Sequence, residues 1–362
     1  MSEYQLLFEG TPVDDDFYGQ ISRLEVEENA DLPGAISLTL PVSVADGELT
    51  FVTDSRVGPY ANIAVVATAP DAGDQCIFDG YVLTNKVHLP TGTAGATLEV
   101  WGQDATVLMG LTERVKVWSG MSDADVAAQI LSSYEFAADP SNSKEPGPVH
   151  SEDEHALVQR DSDAEFLRRL ARRTGRWFRV VSADKPGART GVFASPSLDK
   201  PPVATIGVTD PATSAVPVLD FAWDAARPTT VQTRQVSLTD NDQAGVSADT
   251  SDSGLTLLDE RGLADFTGKE RTVVLTAAAD TAALPDRSAG LLRETGWFVR
   301  CEGTADVNVL KCVLRVGDVV ELEGCGSLLS GKYLVWSVRH TITTQAHTMA
   351  FALVRNALGP EG

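Results

Sequence analysis

Cysteine is too sparse to staple a small fold: Cys76, Cys301, Cys312 and Cys325 are spread over 362 residues, with no CxxC pair and no Cys/His group at zinc spacing. They are expected as reduced, mostly buried thiols of a protein made in the cytoplasm. Long apolar runs are missing as well. The best stretches, such as Ile63–Ala69, fall short of the roughly 18–20 residues of a membrane span and suit buried strands. Met1-Ser-Glu-Tyr lacks a basic region followed by an apolar one, so no signal peptide is expected. Positive charge is scarce: 29 Lys and Arg against 51 Asp and Glu give a formal charge of −22. That sign repels phosphate backbones and argues against sequence-reading of nucleic acid. What is present, 43% hydrophobic and 22% charged residues, is a globular composition. The length suits two or three domains of about 100–200 residues each.

Residues 1–112 read as β-structure. Ile21–Glu27, Ala35–Leu40, Ile63–Thr68, Tyr81–Val87 and Thr97–Trp101 alternate or run apolar between Gly, Pro and Asp clusters. Short strands so spaced suggest a barrel or sandwich. The period then changes. Ser122-Asp-Ala-Asp125 opens a helix with Val126, Ile130, Leu131 and Tyr134 on one face. A proline-broken loop follows from Asp139 to Pro148. Ser162-Asp-Ala-Glu165 is a capping box, Phe166, Leu167 and Leu170 are the apolar face, and Thr174-Gly175 is the stop. Trp177–Val181 reads as a strand. Strand pattern returns at Val216–Trp223 and Thr230–Leu238, and Thr239–Gly254 reads as an exposed polar loop. A short helix near Ala289–Arg293 precedes the closing strands Val307–Leu314, Val319–Leu322, Tyr333–Ile342 and Thr348–Val354.

The two β ends share an ordering. The first runs Gly58, Ile63–Thr68, Phe78-Asp-Gly80-Tyr81-Val-Leu83, His88, Thr97–Val100; the second runs Gly317, Val319–Leu322, Leu329-Ser-Gly331-Lys-Tyr333-Leu-Val335, His340, Thr348–Val354. Gly80 precedes its histidine by eight residues and Gly331 by nine. The reading is therefore mainly β with an α+β insert: two similar small barrels flanking a mixed α/β region. The domains are expected at 1–112 (first barrel, with return strands about 216–238), 113–215 (insert), 239–299 (connection with a short helix) and 300–362 (second barrel). A trimer of such chains presents six quasi-equivalent barrels around its axis.

Catalytic chemistry finds little footing. Acidic runs such as Asp14-Asp15-Asp16 and Glu152-Asp153-Glu154 read as solvated faces rather than a glycosidase pair. His150 and His155 miss the i, i+4 spacing of a helical zinc pair. Gly324-Cys-Gly-Ser327 is no G-x-S-x-G and reads as a hairpin turn, so Cys325 is a turn cysteine, and His340 is structural. No phosphate-binding G-x-x-x-x-G-K-[ST] occurs. No catalytic, cofactor or metal site is expected. One local feature opposes the global charge: Arg160, Arg168, Arg169, Arg172, Arg173, Arg176 and Arg179 crowd one stretch. It reads either as a helix face paired with nearby acids or, through Arg168, Arg169, Arg172, Arg173 and Arg176, as a docking patch for an acidic neighbour.

Val115-Lys-Val-Trp118-Ser-Gly-Met-Ser122-Asp-Ala-Asp125-Val126 resembles the start of the middle region of phage late control D proteins. Gln159-Arg-Asp-Ser162-Asp-Ala-Glu165-Phe-Leu167 with Thr174-Gly175 resembles a later segment of the same family. Arg315-Val-Gly-Asp318-Val-Val320, Ser330-Gly-Lys-Tyr333 and Val338-Arg-His340 resemble its closing strands. The same hub module begins VgrG spike proteins. The resemblance implies a non-enzymatic baseplate hub of a contractile tail or injection system. It would be a homotrimer whose barrels make a pseudo-sixfold ring between a hexameric tail tube and a trimeric spike, with a central channel. Baseplate wedge proteins and a tape-measure protein or cargo are the other implied partners, and assembly in the cytoplasm is implied too. A full VgrG continues into further spike domains, whereas this sequence ends at Gly362, so the spike is expected as a separate polypeptide. The implied subunit contacts fall on Ile63, Val65, Tyr81, Leu83, Val319, Glu321, Tyr333 and Val335. Part of the acidity is expected to line the channel. The competing readings are a cell-wall-degrading hub enzyme and a soluble glycan-binding β-protein.

Overall fold

A period-two alternation sets the architecture. In Arg23–Asn29 the inward positions are Leu24, Val26 and Glu28, and in Ala35–Pro41 they are Ile36, Leu38 and Leu40, so each strand has one face for a core and one for solvent. The computed structural model describes residues 4–360 except 46, 71–72, 93, 153–155, 183, 209–213, 235–248 and 277–282. Its centre is a thirteen-stranded, mostly antiparallel sheet. The first part of the chain supplies β1 (Tyr4–Phe8), β2 (Arg23–Asn29), β3 (Ala35–Pro41), β4 (Asn62–Ala69), β5 (Gly73–His88) and β6 (Thr97–Asp104). An insert with helices α1 (Asp123–Ser133) and α2 (Asp163–Arg173) and the hairpin β7 (Trp177–Ser182) and β8 (Arg189–Ala194) follows. The last part supplies β9 (Ala204–Gly207), β10 (Leu219–Trp223), helix α3 (Leu284–Thr295), β11 (Val299–Asp306), β12 (Val319–Glu323), β13 (Gly331–Ile342) and β14 (His347–Arg355).

Strand order across the sheet is β10-β11-β14-β13-β2-β3-β6-β5-β4-β1, with β9 and β12 joined at the side of β13. This order is a repeat. In one half a meander β4-β5-β6 lies beside the hairpin β2-β3; in the other the meander β12-β13-β14 lies beside the pair β10-β11. Each long middle strand carries a bulge against the last meander strand, between Val82 and Thr84 in β5 and between Val335 and Ser337 in β13. Bulges re-aim a strand. In β13 the extra residue, Trp336, packs against Trp177 and Trp297. Gly80 and Gly102 let β5 and β6 press together: a Cβ on Gly80 would lie 2.1 Å from the Gln103 carbonyl oxygen. The halves meet where β13 pairs with β2, from Ser337 opposite Asn29 to Ile342 opposite Leu24.

One apolar core runs through both halves, from Leu6 and Leu24 to Leu353 and Leu358. The insert has its own, built on Trp118, Ile130, Leu131, Phe166, Leu167, Leu170 and Phe193. Helix α1 starts as its sequence dictates: Ser122 Oγ accepts from the Asp125 N–H and the Asp125 carboxylate accepts from the Ser122 N–H. At α2 only half of the expected box forms. Ser122's counterpart Ser162 caps the Glu165 N–H, while the Glu165 carboxylate accepts from the Ser162 hydroxyl instead of backbone.

Three expectations need correction. The return strands assigned to the first barrel pair elsewhere: β10 lies on β11, in the second half, and Thr230–Thr233 pairs in parallel with Thr272–Leu275 outside the sheet. Val307–Leu314 is no strand; Asp306 caps the Asn308 N–H and turns Val307–Leu310 into a short helix. The helix near Ala289–Arg293 is longer, reaching back to Leu284, whose buried side chain and the following proline at the first turn anchor it. Residues 235–248, the end of the expected strand Thr230–Leu238 and the first part of the expected polar loop Thr239–Gly254, lie outside the described residues.

Candidate functional site

The sequence places subunit contacts on eight side chains, and the structure puts most of them inside. Ile63, Val65, Val319, Tyr333 and Val335 are each fully buried in the chain's own core. Tyr81 and Glu321 are half-buried, Tyr81 accepting a 2.9 Å bond from Arg189, and Leu83 is exposed. Nor are β4 and β12 edges: β4 is paired by β1 and β5, and β12 by β9 and β13. Alternation explains the miss, since strong apolar strands are the ones most enclosed.

The free edges lie elsewhere. From Thr84 to His88, β5 is paired with β6 on one side and with no other strand among the described residues. At one end of the sheet, β10 is paired, among the described residues, only with β11. Both edges expose apolar groups: Val87 and Leu89 on one, Val218 and Trp223 on the other. Unpaired backbone beside apolar side chains is a template for another strand. Sequence reasoning missed the β10 edge, and on β5 it named Tyr81 and Leu83, just short of the free stretch. The usable signal is Val82-Leu-Thr84 against Val335-Trp-Ser337, which aligns the halves on their bulges.

Between these edges the sheet has an open face whose cations are matched by carboxylates. Arg23 meets Glu25 at 2.7 Å, Arg339 meets Glu27 at 2.8 Å, Arg300 meets Glu302 at 2.6 Å and Lys86 meets Glu99 at 3.3 Å. Thr39, Ser37, Ser337, Thr341, Thr348 and Ala350 fill the same face.

Buried charge joins the parts on the other face. Glu28 of β2 holds Arg179 of β7 at 3.2 Å and also Arg315 ahead of β12, while Arg179 donates to the Val316 carbonyl at 2.9 Å. One carboxylate thus ties the first half, the insert and the second half. Burial pushes the Arg179 guanidinium below its ordinary value, with Glu28 opposing. Asp79 of β5 takes a two-pronged contact from Arg189 of β8, at 2.8 and 3.1 Å, plus the Gly187 N–H at 2.8 Å. These partners hold its carboxyl below the usual range despite burial, which acts the other way.

The arginine stretch divides. Arg176 is buried over the Phe193 ring, Arg173 reaches the buried Asp123 at 2.8 Å, and Arg169 meets Asp161 at 2.7 Å. Arg172 pulls on Asp31 and Glu294, whose carboxyls burial pushes up. Arg168 lies beside the Glu28 cluster. Arg160, Arg169, Arg173 and Arg287 also line a groove of about 380 Å³ floored by Leu157, Val158, Phe166 and Leu170, with His150 and, among the described residues, no carboxylate in its wall.

The residues weighed for catalysis serve structure. His150 meets Asp123 at 2.6 Å, and His155 lies outside the described residues. Asp14 caps the Phe17 N–H. All four cysteines are free thiols, Cys325 half-buried and the others buried, and burial raises each; Cys76 is pushed up to about 11 and Cys301 to about 12. His340 and His347 sit together in the core, 3.1 Å between nitrogens. Among the described residues no group could hold a metal ion, and no helix is long and apolar enough to cross a membrane.

Two like half-sheets in one chain, with charge clusters used as fasteners and the edges left open, define a mainly β assembly protein. The family model of the phage tail baseplate hub (GPD) matches residues 47–346, and the chain belongs to that family. Its fold is similar to that of the 43 kDa tail protein of prophage MuSo2 from Shewanella oneidensis, at TM-score 0.67 and 14% identity over 99% of this chain and 100% of that one. A tail protein from Neisseria meningitidis MC58 is similar at 0.65 and 13%, over 98% and 97%. The Escherichia coli c3393 protein, a component of the type VI secretion system, is similar at 0.55 and 12%, over 99% and 79%. No curated protein matches the chain in sequence.

Proposed function

We propose that the chain is the structural, non-catalytic hub of a contractile tail or a related injection apparatus, working as a homotrimer between a hexameric tube and a trimeric spike. The observation that carries this reading is the repeated half-sheet with its internal β13–β2 joint. Three chains supply six like units, which matches a hexamer on one side, while the chain itself keeps threefold symmetry for the spike. The open face is the channel wall in this reading, because the core, the insert and α3 crowd the other. Such a wall is polar and nearly charge-balanced, since its arginines and its lysine face carboxylates. This departs from the expected acidic lining. Native mass spectrometry with negative-stain imaging is expected to give a trimer and a ring with three- to sixfold appearance. A monomer or dimer at micromolar concentration, with no ring on adding the spike protein, overturns the reading.

Baseplate wedge proteins and a tape-measure protein or cargo complete the proposed partners. The arginine groove is the proposed dock for an acidic segment of one of them, with Arg160 and Arg169 as its exposed charges. Reversing both to glutamate is expected to leave the circular dichroism spectrum unchanged and to block incorporation into particles. Normal incorporation would remove the dock.

A further inference from the structure

The chain carries one joint between half-sheets and, in the end strand β10 and in the stretch of β5 that runs on beyond β4, the two unpaired halves of another. We propose that the β5 edge of one copy pairs with the β10 edge of the next, in the register that the internal β13–β2 joint dictates. This rests on the trimeric reading above and names the surface that closes it.

The register follows from the repeat. Aligned on their bulges, Ser337 of β13 corresponds to Thr84 of β5, and Arg339 to Lys86. On the other side Glu25 lies opposite Ser37, which lies opposite Trp101. In the second half Asp220 lies opposite Glu302, which lies opposite Ala352. Trp101 pairs with Thr84 as Ala352 pairs with Ser337, so Asp220 corresponds to Glu25 and Ala222 to Glu27. Inside the chain Arg339 pairs with Glu27 and Thr341 with Glu25. Between copies Lys86 therefore lies opposite Ala222, Val87 opposite Phe221 and His88 opposite Asp220.

Three properties of the edges fit that register, none of which was used to derive it. The first is charge: Thr84–His88 carries Lys86 and His88 and no acid, whereas Leu219–Trp223 carries Asp220 and no base. Asp220 also faces Glu302 on its own neighbour β11, a like-charge pair that a cation from the adjoining strand relieves. The internal joint uses the same device, with Arg339 on Glu27 and the Thr341 hydroxyl donating to Glu25 at 3.2 Å. The second is apolar cover. Val87 and Trp223 are 38% and 51% exposed in the single chain and become near neighbours across the seam. The third is shape: β5 is long enough to leave β4 after Tyr81 and run on past its bulge, as β13 runs on past its own to meet β2.

The test is a disulfide across the seam. Directly opposed antiparallel residues have Cα atoms about 4.5–5.5 Å apart, inside the range a disulfide spans. The full chain carrying Lys86→Cys and Ala222→Cys, both on exposed positions, is oxidised and run on denaturing gels beside each single variant. The double variant is expected to form covalent dimers and closed trimers, and the single variants to remain uncross-linked. A second double variant, Lys86→Cys with Asp220→Cys, sits two residues out of register and is expected to cross-link at least tenfold less. A native trimer that cross-links at neither pair, or better at the second, overturns the seam while leaving the ring. A monomer in native mass spectrometry overturns the ring itself, and the seam with it.

Discussion

Replacing Glu28 with alanine is expected to cost about 3–5 kcal/mol of folding stability, the usual loss when one member of a buried ion cluster is removed. Glu28 is 6% exposed, and its two oxygens serve Arg179, Arg315 and, at 3.4 Å, the Val316 N–H. Without the carboxylate two guanidinium groups from different parts of the chain face each other with no counter-charge, and burial already works against Arg179. Glu28→Gln keeps the shape and loses the charge, so it is expected to recover only a small part. Denaturant midpoints followed by circular dichroism measure both. A shift worth less than about 1 kcal/mol would mean that water reaches the cluster and screens it. Because Glu28 ties three parts together, limited proteolysis of the variant is expected to release the insert first.

Acid is expected to weaken the protein well above the range where carboxylates titrate. Burial, aided by the neighbouring His347, pushes His340 well below its ordinary value, and burial pushes His347 down to about 4. Arg315 adds to the first effect and Asp306 opposes the second. An unfolded chain takes up these protons near pH 6.5, while the native core keeps His347 neutral until about pH 4 and disfavours the charged form of His340 as well. Stability is therefore whole above pH 6.5 and drains as pH falls toward 4, by about 3 kcal/mol for His347 alone. Asp79 and Asp123, whose carboxyls are held low by their partners, add losses only at still lower pH. Urea midpoints between pH 7 and 4.5 measure the slope. His340→Leu combined with His347→Leu is expected to flatten it, and an equal slope in that variant would place the acid sensitivity elsewhere.

The elements legible in the sequence were those with local rules. Ser122 and Ser162 announced α1 and α2, and alternation announced β2, β3, β6, β13 and β14 within a few residues of their ends, and of β5 only the second half. The shared ordering of the two β ends was legible too, but not its register: the sequence matched Gly80 to Gly331, whereas the bulges match Gly80 to Tyr333. Pairing was not legible either. Nothing local in Leu219–Trp223 says that it adds to β11 rather than to the first half, because edge strands bury little and their partner is set by the rest of the sheet. The same blindness misdirected the contact residues toward Ile63 and Tyr333, since apolar character reports enclosure and an interface between copies needs an edge. The arginine stretch shows the limit from another side: its spacing is visible, and Asp161 lies within it, but the other carboxylates that receive it, Asp123, Asp31 and Glu294, come from other segments.

The joint between β13 and β2 changes how a ring of six units can form. Six separate subunits would need five encounters in solution before the ring could close on itself, each as slow as the monomer is dilute. With two units on one chain, every second closure happens at the effective concentration fixed by the chain itself, on the order of millimolar or above, and does not depend on how much protein is made. Only three encounters remain, and the third is intramolecular once two have been made. A tethered ring therefore assembles from a lower-order reaction, with few half-built species that could trap subunits before a tube or spike arrives.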